Sequence, residues 1–462
     1  MTFRLFNTLG GRKQDFIPID PHQVRLYCCG PTVYDRAHVG NARPVVVFDV
    51  LFRLLRHQYG ADHVVYVRNI TDIEDKIIQA AAKGRETIEA LTGRTIAHYH
   101  QDMNALGALP PTYEPKATEY IPEMCQMIEY LVRAGYAYVA DGHVLFHVLS
   151  APNYGCLSNR SQDEMIAGSR VEVAPYKKHP ADFVLWKPSA DDQPGWDSPW
   201  GRGRPGWHIE CSAMAGSLLG DVFDIHGGGL DLIFPHHENE IAQSSCSHNG
   251  LNPAHYWLHN GFVQVNGQKM SKSTGNFFTV RQLMEEGFAG ETIRLCLLSA
   301  HYRQPLDISR AALQDAKQHL DRFYQTLRGD NFPAHTVEIP AIFLEALEDD
   351  LNVPLALTRL HELASVINKA DEKQKPLLQA QLKNCANLLG ILQHPVEQWF
   401  QQGHLPHQPQ ALSEAEIKRR IEDRVQARQA KNFQKADEIR QGLEKSGIIL
   451  EDKATGTVWR RI

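Results

Sequence analysis

The sequence predicts an α/β protein with a parallel-sheet domain, an inserted lobe, a helical bundle and a small C-terminal α+β domain. In the first third of the chain, strand-like segments alternate with helix-like ones. Beyond about residue 303 the chain reads as long amphipathic helices, at 309–328, 340–370 and 372–392, and a short basic module follows. Alternating strands and helices are typical of a parallel sheet, which binds ligands at the carboxyl ends of its strands.

The first two strands can be placed from local patterns. Val24–Cys29 reads as a strand, and the loop after it leads to a helix that we expect to open at Pro44, because proline is favoured at the first helical position. A second strand, His63–Ile70, leads to Thr71-Asp72-Ile73-Glu74. A threonine followed three residues later by glutamate predicts a capping box at the start of the next helix.

Later segments complete the predicted organisation. A third strand, 221–226, precedes three glycines and Pro235, which we expect to open another helix. Rich in Gly, Pro and Trp, the end of the stretch between Pro110 and Pro205 predicts a lobe inserted over the site. We expect the sheet domain in two halves, 1–109 and 206–255, with the inserted lobe at 110–205 between them. A loop region at 256–308, a helical bundle at 309–393, a linker at 394–412 and a C-terminal module at 413–462 follow.

Composition narrows the class of protein. Of 462 residues, 43% are apolar and 22% charged, which is ordinary for a folded globular protein and excludes wholesale disorder. The chain lacks an apolar run long enough for a bilayer and lacks a signal peptide, so we expect a cytoplasmic protein whose eight cysteines are reduced. From Ser413 to Ile462 there are 12 Lys and Arg against 9 Asp and Glu, although the whole chain has a net charge of −6. A basic module on an acidic body indicates either contact with a polyanion or a solvated helical face.

Two short motifs suggest phosphate chemistry. In His38-Val39-Gly40-Asn41, Gly40 removes side-chain bulk where a loop becomes a helix, and a helix N-terminus attracts phosphate. His38 could donate to the charge that develops on that phosphate. The polar segment Lys269-Met270-Ser271-Lys272-Ser273 places two ammonium groups on a loop that could close over a triphosphate. Taken singly, each motif also fits an ordinary solvated loop.

Together the motifs resemble the HIGH and KMSKS pair of class I aminoacyl-tRNA synthetases. KMSKS is matched in full, whereas HVGN has Asn41 in place of the last histidine. The segments CGPTVYDRAHVGNAR, NITDIEDKI, GWHIECSAM and HGGGLDLIFPHHENEIAQS resemble the cysteinyl-tRNA synthetases, and the similarity runs from Phe3 to Trp459. The resemblance implies a Rossmann-like catalytic domain, a loop region that contacts the tRNA stem, and a C-terminal anticodon-binding domain.

Four side chains are candidates for a metal site, and spacing connects only two of them. His236 and Glu240 are four residues apart on a predicted helix, so they share a face. Cys211 lies in another helical stretch, and Cys29 ends the first strand, where Cys28 competes for the same role. The family resemblance assigns Cys29, Cys211, His236 and Glu240 as the ligands of one zinc ion per chain.

Zinc would serve recognition in such a site. Cysteine and serine differ by one atom, and an apolar pocket separates such near-isosteres by only ~100-fold. Because a thiolate binds zinc far better than a hydroxyl does, factors of ~10⁴ come within reach without an editing site. The neighbouring His237 and Glu238 face elsewhere on the helix, and we expect them to pack or to contact the ligands.

The resemblance also implies the remaining site residues and partners. The catalytic group comprises His38, Asn41, Lys269 and Lys272. ATP, with Mg²⁺, would contact these four and also Gly40, His226, Gly228, Asp231 and Met270. L-cysteine would contact Thr71 and Trp207, and tRNA(Cys) would contact Arg424, Arg428 and Trp459.

The implied reaction is ATP-dependent ligation of cysteine to tRNA(Cys) through a cysteinyl-adenylate, by a protein that we expect to be a monomer. One alternative is a cysteine ligase of mycothiol synthesis, which shares the activation chemistry but uses an amino-sugar acceptor and needs no anticodon module. A zinc hydrolase built on His236 and Glu240 would leave HVGN and KMSKS unexplained, and no HExxH occurs. A non-enzymatic RNA-binding protein would explain only the basic tail.

Overall fold

A computed structural model of the chain describes residues 3–160, 174–265, 267–270, 276–329, 337–401, 412–453 and 456–461. Its strands, in chain order, are Arg4–Asn7 (β1), Arg12–Asp15 (β2), Val24–Cys28 (β3), Val64–Arg68 (β4), Ala137–Ala140 (β5), His143–Phe146 (β6), Phe183–Pro188 (β7), Gly203–Pro205 (β8), Phe223–Gly229 (β9), Ala254–Asn260 (β10), Val263–Val265 (β11), Gln268–Lys269 (β12), Leu306–Ile308 (β13), Ile448–Lys453 (β14) and Gly456–Arg461 (β15).

The described α-helices, in the same order, are Val39–Tyr59 (α1), Asp75–Gly84 (α2), Ile88–Ala105 (α3), Ile121–Arg133 (α4), Trp207–Leu219 (α5), Glu238–Ser247 (α6), Val280–Glu285 (α7), Gly290–Leu298 (α8), Arg310–Thr326 (α9), Ala341–Glu348 (α10), Val353–Ile367 (α11), Lys375–Leu388 (α12), Val396–Gln401 (α13), Glu414–Gln429 (α14) and Phe433–Lys445 (α15). None of the described helices combines the length and the apolar character that crossing a bilayer requires.

The centre of the fold is a four-stranded parallel sheet in the order β10-β9-β3-β4. The two inner strands, β3 and β9, are largely buried, and β3 reads VRLYC with four of its five residues buried. Burial on both faces is what an all-parallel sheet between helices requires, and it explains the apolar character of its strands. The parallel α/β prediction is therefore confirmed.

A second, antiparallel sheet in the order β5-β6-β7-β8 lies within the stretch where the sequence pattern changes. Its apolar face shares one core with α4, α5 and the outer side of the parallel sheet, including Trp186 and Trp257. A third sheet, β12-β11-β13, joins the Lys269 strand to the segment that precedes α9. These small sheets flank the carboxyl edge of the parallel sheet.

Helix α1 begins earlier than expected. It opens at Val39, with His38 as its N-cap, and Pro44 is the sixth residue of the helix and not the first. The prediction was wrong because a reciprocal pair of capping bonds between His38 and Asn41 defines the start of the helix. Proline inside a helix deprives the carbonyl four residues earlier of its partner, and here that residue is Gly40.

The capping box predicted at Thr71 is also wrong. Helix α2 begins at Asp75, and its N-cap is Glu74, whose carboxylate accepts from the Lys76 amide at 2.9 Å. Thr71 instead extends the sheet edge: its carbonyl accepts from Val33 N at 3.1 Å, and the Thr71 amide donates to the Pro31 carbonyl at 3.1 Å. A tertiary contact has overridden the local sequence pattern here.

The C-terminal third is helical, and its boundaries refine the predicted ones. The stretch expected as one helix at 340–370 is two helices, because Asp350 and Leu351 between them have φ values of 63° and 50°. The buried Asp350 carboxylate accepts from Tyr302 Oη and Arg303 Nε, both at 2.8 Å. This break therefore joins the helical domain to the sheet domain. Helices α14 and α15 and the closing hairpin β14-β15 confirm the prediction for the tail.

Candidate active site

A cavity of about 460 Å³ opens at the carboxyl edge of the parallel sheet. The ends of the strands contribute to its wall, because Arg68 ends β4, Gly229 ends β9 and Asn260 ends β10. Seven of the predicted site residues line it together: Cys29, His38, Gly40, Asn41, Trp207, Asp231 and Met270. The fold thus brings the phosphate motifs and one candidate metal ligand to a single place.

Four potential metal ligands converge at the inner end of this cavity. Cys29 Sγ lies 3.7 Å from Cys211 Sγ and 3.5 Å from Glu240 Oε1, and His236 Nε2 lies 2.9 Å from Glu240 Oε1. One ligand atom from each residue lies within 4.8 Å of the others. Two sulfurs, one imidazole nitrogen and one carboxylate oxygen form a donor set that suits tetrahedral zinc.

The surroundings of the cluster also fit a cation. Glu240 is 1% exposed, and its Oε2 atom is buried with no hydrogen-bond partner in the described part of the chain. Burial raises the pKa of this carboxyl group, because a buried negative charge without compensation is unfavourable. A divalent cation would supply the missing positive charge. The residues present therefore fit the zinc ion that the family resemblance implies.

The structure also separates the two adjacent thiols. Two overlapping groups of potential metal ligands occur among the described residues, the four named above and a second formed by Cys29, His226, His237 and Glu240. Cys28 belongs to neither group, and its Sγ lies 3.7 Å from the Cys29 carbonyl. Burial raises the pKa of both adjacent thiols, that of Cys28 to about 12, whereas the contact with Cys29 lowers the pKa of Cys211 to about 7. Position therefore separates the two thiols, because only Cys29 Sγ lies beside Cys211 and Glu240 in the candidate metal cluster. Cys29, paired with Cys211, is the candidate.

Two further histidines orient the cluster. His208 Nδ1 lies 2.8 Å from His236 Nδ1, which directs the Nε2 atom of His236 toward Glu240. His237 Nε2 lies 3.3 Å from Cys29 Sγ, and its Nδ1 lies 2.8 Å from His259 Nε2. Such hydrogen bonds hold metal ligands in place. Sequence reasoning missed both roles: His208 is three residues before Cys211, but spacing does not connect it with His236, and His259 lies on a different strand, β10.

His226 does not lie where the sequence analysis expected it. Its Nε2 atom lies 3.6 Å from Cys29 Sγ and 3.4 Å from Glu240 Oε2, and its ring stacks on Trp257 with centroids 4.4 Å apart. The side chain is 1% exposed, so it faces the thiol cluster and not the cavity. This placement corrects the assignment of His226 to ATP.

Burial lowers the pKa of the histidines around the cluster. The pKa values of His208, His226 and His237 fall well below the ordinary value, and that of His259 falls to about 3. Desolvation is the first cause in each case, because these rings are removed from water. The imidazoles are neutral at pH 7 and can each accept one hydrogen bond and donate another.

The HVGN segment is organised by its own capping bonds. Asn41 N donates to His38 Nδ1 at 3.2 Å, and His38 N donates to Asn41 Oδ1 at 3.2 Å. Because Nδ1 of His38 accepts, the ring proton of the neutral side chain is on Nε2. A Cβ on Gly40 would lie 2.9 Å from His38 Nδ1 and 3.0 Å from Met270 Cε, so only glycine fits there. Asn41, which stands in place of the last histidine of the HIGH motif, thus acts as the capping partner of His38.

The segment after KMSKS is hydrogen-bonded to the HVGN segment. Val39 N donates to the Phe278 carbonyl at 3.0 Å, and Val280 N donates to the Ala37 carbonyl at 3.2 Å. Lys269 is described as the second residue of β12, without its side chain, and Lys272 lies outside the described residues. The backbone pairing places the segment that follows the lysine loop beside the N-terminus of α1.

An arginine on α1 fixes another part of the cavity wall. The side chain of Arg43 is fully buried, and its guanidinium donates to the carbonyls of Gly261 at 2.8 Å, Phe262 at 2.9 Å and Gln304 at 2.7 Å. Gly261 and Phe262 line the cavity. Sequence reasoning missed Arg43, because its position inside an apolar helix predicts only a buried side chain.

The predicted cysteine contacts lie on two sides of the cluster. Trp207 is 40% exposed, lines the cavity and lies with its ring centroid 4.3 Å from that of His236. Thr71 is 2% exposed, and its hydroxyl donates to Glu210 Oε2 at 3.1 Å and accepts from Asn69 Nδ2 at 3.3 Å. The Trp207 ring is therefore accessible to a ligand, whereas the Thr71 hydroxyl is buried and already hydrogen-bonded to Glu210 and Asn69.

The triple glycine after β9 serves two purposes. A Cβ on Gly228 would lie 2.8 Å from His237 Cε1, so this glycine allows close packing against the thiol cluster. Gly229 and Asp231, one and three residues further on, line the cavity. Of the predicted adenosine contacts, Asp231 is therefore placed at the cavity, whereas Gly228 is placed against His237.

The C-terminal module has its own small core, and two of the three residues predicted to contact tRNA are buried in the module. Trp459 is 4% exposed and packs with Ile417 and Leu443. Arg424 is also 4% exposed and binds Asp452 through two hydrogen bonds of 2.8 and 2.7 Å. Their burial argues against stacking on RNA bases. Arg428 is 51% exposed in its side chain and lies 3.1 Å from the same carboxylate.

Known proteins resemble the chain over its whole length. Residues 15–318 match the family described as tRNA synthetases class I (C) catalytic domain, and residues 342–393 match the DALR domain. The chain is 57% identical over 461 residues to the cysteine–tRNA ligase of Rhodospirillum centenum, with 100% of both chains covered. A cysteine–tRNA ligase of Paramagnetospirillum magneticum is 55% identical over 465 residues, again with 100% of both chains covered.

Solved structures share the fold at low identity. Mycobacterium tuberculosis methionyl-tRNA synthetase in complex with methionyl-adenylate has a TM-score of 0.55 and 15% identity, and the match covers 84% of this chain and 92% of that one. An Agrobacterium radiobacter LeuRS in a ternary complex with tRNA and LeuAMS has a TM-score of 0.58 and 12% identity, over 84% and 86% of the two chains. These similarities concern the fold alone.

Proposed function

The chain belongs to the cysteine–tRNA ligases, a family of class I aminoacyl-tRNA synthetases, and from that premise we propose the chemistry of its site. The enzyme ligates cysteine to tRNA. We infer that the reaction passes through a cysteinyl-adenylate and that zinc, held by Cys29, Cys211, His236 and Glu240, selects the thiol. The proposal is carried by one observation: these donors converge at the cavity that the HVGN residues line.

The proposed reaction consists of two nucleophilic displacements. A carboxylate oxygen of cysteine attacks the α-phosphorus of ATP, the bond from that phosphorus to the β-phosphate oxygen breaks, and pyrophosphate leaves. A terminal ribose hydroxyl of tRNA then attacks the carbonyl carbon, AMP leaves with the electrons of the acyl–phosphate bond, and the hydroxyl proton is released to water. Neither step requires a protein nucleophile, so the side chains act by positioning and charge stabilisation.

The nucleotide end of the cavity suits ATP. The N-terminus of α1 and the Nε2–H of His38 offer donors to the phosphate groups, and the Asp231 carboxylate can accept from ribose hydroxyls. Mg²⁺ carried by ATP would neutralise part of the triphosphate charge. Asn41 contributes by holding the His38 ring through the capping bonds.

The amino-acid end of the cavity suits cysteine. Bound by the four ligands, zinc would supply a soft Lewis acid that binds a thiolate in preference to a hydroxyl. The exposed face of Trp207 can pack against the substrate, whereas Thr71 Oγ1 is buried outside the cavity lining and is hydrogen-bonded to Glu210 and Asn69. His208 and His237 orient the protein ligands.

Replacing Lys272 by alanine should depress adenylate formation by ~10²-fold, because one ammonium group that stabilises the leaving pyrophosphate is lost. The affinity for cysteine should stay within ~2-fold, since this loop acts at the phosphate end. Pre-steady-state consumption of ATP and the dissociation constant of cysteine measure the two effects. Lys83→Ala, on the exposed side of α2, is the control. Adenylate formation at the wild-type rate in Lys272→Ala would remove the lysine from the mechanism.

Arg428 and Arg424 make a matched pair in the C-terminal module. Arg428→Ala should raise the KM for tRNA in charging by ~10-fold without altering pyrophosphate exchange, because an exposed guanidinium that can contact RNA is removed. Phe433 begins α15, just after the turn that follows α14, and its 60% exposed ring can stack on a base. Arg424→Ala should instead destabilise the module by about 1–3 kcal/mol, because it breaks two charged hydrogen bonds.

Thermal unfolding and charging kinetics, measured on both variants, separate the two roles. An unchanged KM for tRNA in Arg428→Ala, or normal stability in Arg424→Ala, contradicts the corresponding assignment.

The overall function is tested by transfer of radiolabelled cysteine to acid-precipitable tRNA in the presence of ATP, with labelled serine as the control. We expect label on tRNA from cysteine and none from serine. Label from both amino acids would overturn the proposed thiol selection. Cysteine-dependent pyrophosphate exchange without labelled tRNA would indicate a different acceptor, such as the amine of an amino sugar.

A further inference from the structure

A buried carboxylate outside the cavity lies between the two nucleotide motifs. Asp102, near the end of α3, has a fully buried side chain. Its Oδ1 atom lies 3.1 Å from Arg281 Nη2, and its Oδ2 atom lies 4.0 Å from Arg36 Nη1. A buried charge is tolerated only with such partners, so the position of the carboxylate and the positions of both guanidinium groups are linked.

The two arginines belong to the two motif segments. Arg36 is two residues before His38, and its side chain lines the cavity. Arg281 is two residues after Thr279, the N-cap of α7, in the segment that follows KMSKS. Among the described residues, two backbone hydrogen bonds join these segments, Val39 N to the Phe278 carbonyl and Val280 N to the Ala37 carbonyl. The Asp102 carboxylate therefore attracts one arginine side chain from each of the two paired segments.

We propose that Asp102 is a positioning residue that holds the HVGN segment and the segment after KMSKS together through Arg36 and Arg281. The pairing fixes one end of the lysine loop relative to the N-terminus of α1. Small displacements of groups that stabilise a transition state are costly, so loosening the pairing affects the ATP step. Cysteine binds at the other end of the cavity, around Trp207 and Cys29, and is not affected. This kinetic role rests on the proposed function.

The first test measures the pairing itself and does not depend on activity. In Asp102→Asn, which keeps the shape and removes the charge, hydrogen exchange of the Val39 and Val280 amides should accelerate at least ~10-fold. Asp182→Asn is the matched control, because Asp182 is 1% exposed and accepts from Tyr138 Oη and Val148 N in the antiparallel sheet. Unchanged exchange of both amides in folded Asp102→Asn overturns the proposal, and so does equal acceleration in Asp182→Asn.

The second test is kinetic. Asp102→Asn should raise the KM for ATP in pyrophosphate exchange by ~10-fold and leave the KM for cysteine within ~2-fold. If that variant does not fold, Arg281→Gln probes the same pairing from a side chain that is 28% exposed. The double variant should be no worse than the poorer single one, because both remove one interaction. Additive losses, or equal changes in both KM values, overturn the proposal, whereas a wild-type protein without cysteine-dependent exchange would overturn the proposed function and not the pairing.

Discussion

Cys29→Ser is expected to abolish stoichiometric zinc binding and to lower kcat/KM for cysteine in pyrophosphate exchange by ~10³-fold, or about 4 kcal/mol. The serine hydroxyl does not ionise at neutral pH, so the cluster loses its central donor. Cys29 Sγ is the atom that contacts Cys211, Glu240 and His237, at 3.7, 3.5 and 3.3 Å. Its loss therefore removes one ligand and the contact that lowers the pKa of Cys211.

Cys28→Ser is the control that makes this result specific. Cys28 is adjacent to Cys29 and is 1% exposed, so the same cysteine-to-serine substitution can be made at the neighbouring position. We expect this variant to keep one zinc ion per chain and an exchange activity within ~3-fold of the wild type, because Cys28 is buried and is not one of the four candidate ligands. Zinc content by mass spectrometry and exchange kinetics should be measured on the same preparations. Zinc retained in Cys29→Ser, or lost in Cys28→Ser, contradicts the ligand assignment.

The pair also shows what spacing in the sequence could and could not predict. His236 and Glu240 were predictable, because residues four apart on a helix share a face. Cys29 and Cys211 are 182 residues apart, and the packing of helix α5 against β3 brings their Sγ atoms to 3.7 Å from each other. Such a contact is encoded by the packing of the whole domain, so only the family resemblance could supply it in advance.

The two errors of helix placement have a common cause. Both Pro44 and Thr71-Asp72-Ile73-Glu74 match local patterns for a helix start, yet the helices begin at Val39 and Asp75. At the first site, the capping bonds of His38 and Asn41 extend the helix toward the cavity. At the second, Thr71 binds Glu210, a residue 139 positions away. At both sites, contacts with other residues override the local pattern for a helix start.

Alternation along strands explains another correction. The sequence predicts that HGGG approaches the nucleotide as a unit, but neighbouring residues of a strand point to opposite faces. His226 consequently contacts the thiol cluster, whereas Gly229 reaches the cavity. In the C-terminal module, the helices and the hairpin were predictable from amphipathic pattern, but the division of its basic residues was not. Arg424 is buried against Asp452, and Arg428 is exposed, because the first lies nearer the module's core.

His38→Ala should slow adenylate formation by ~10²–10³-fold, because the Nε2–H that can donate to the α-phosphate is lost. The same variant should lose about 1 kcal/mol of stability, since His38 Nδ1 caps helix α1 through Asn41 N. A single substitution therefore confounds two effects. Stability is measured by urea denaturation, and the rate by pre-steady-state consumption of ATP at saturating cysteine.

His38→Asn separates the donor from the cap. The asparagine oxygen can accept from Asn41 N as the imidazole does, because asparagine is among the best N-cap residues. Its amide does not extend as far as Nε2, so the cap returns while the donor to the phosphate does not. We expect near wild-type stability together with the slow rate of His38→Ala, and an unchanged dissociation constant for cysteine. If His38→Asn instead restored the rate along with the stability, the histidine would serve only to start the helix, and the phosphate donors would have to come from the helix backbone and the lysine loop.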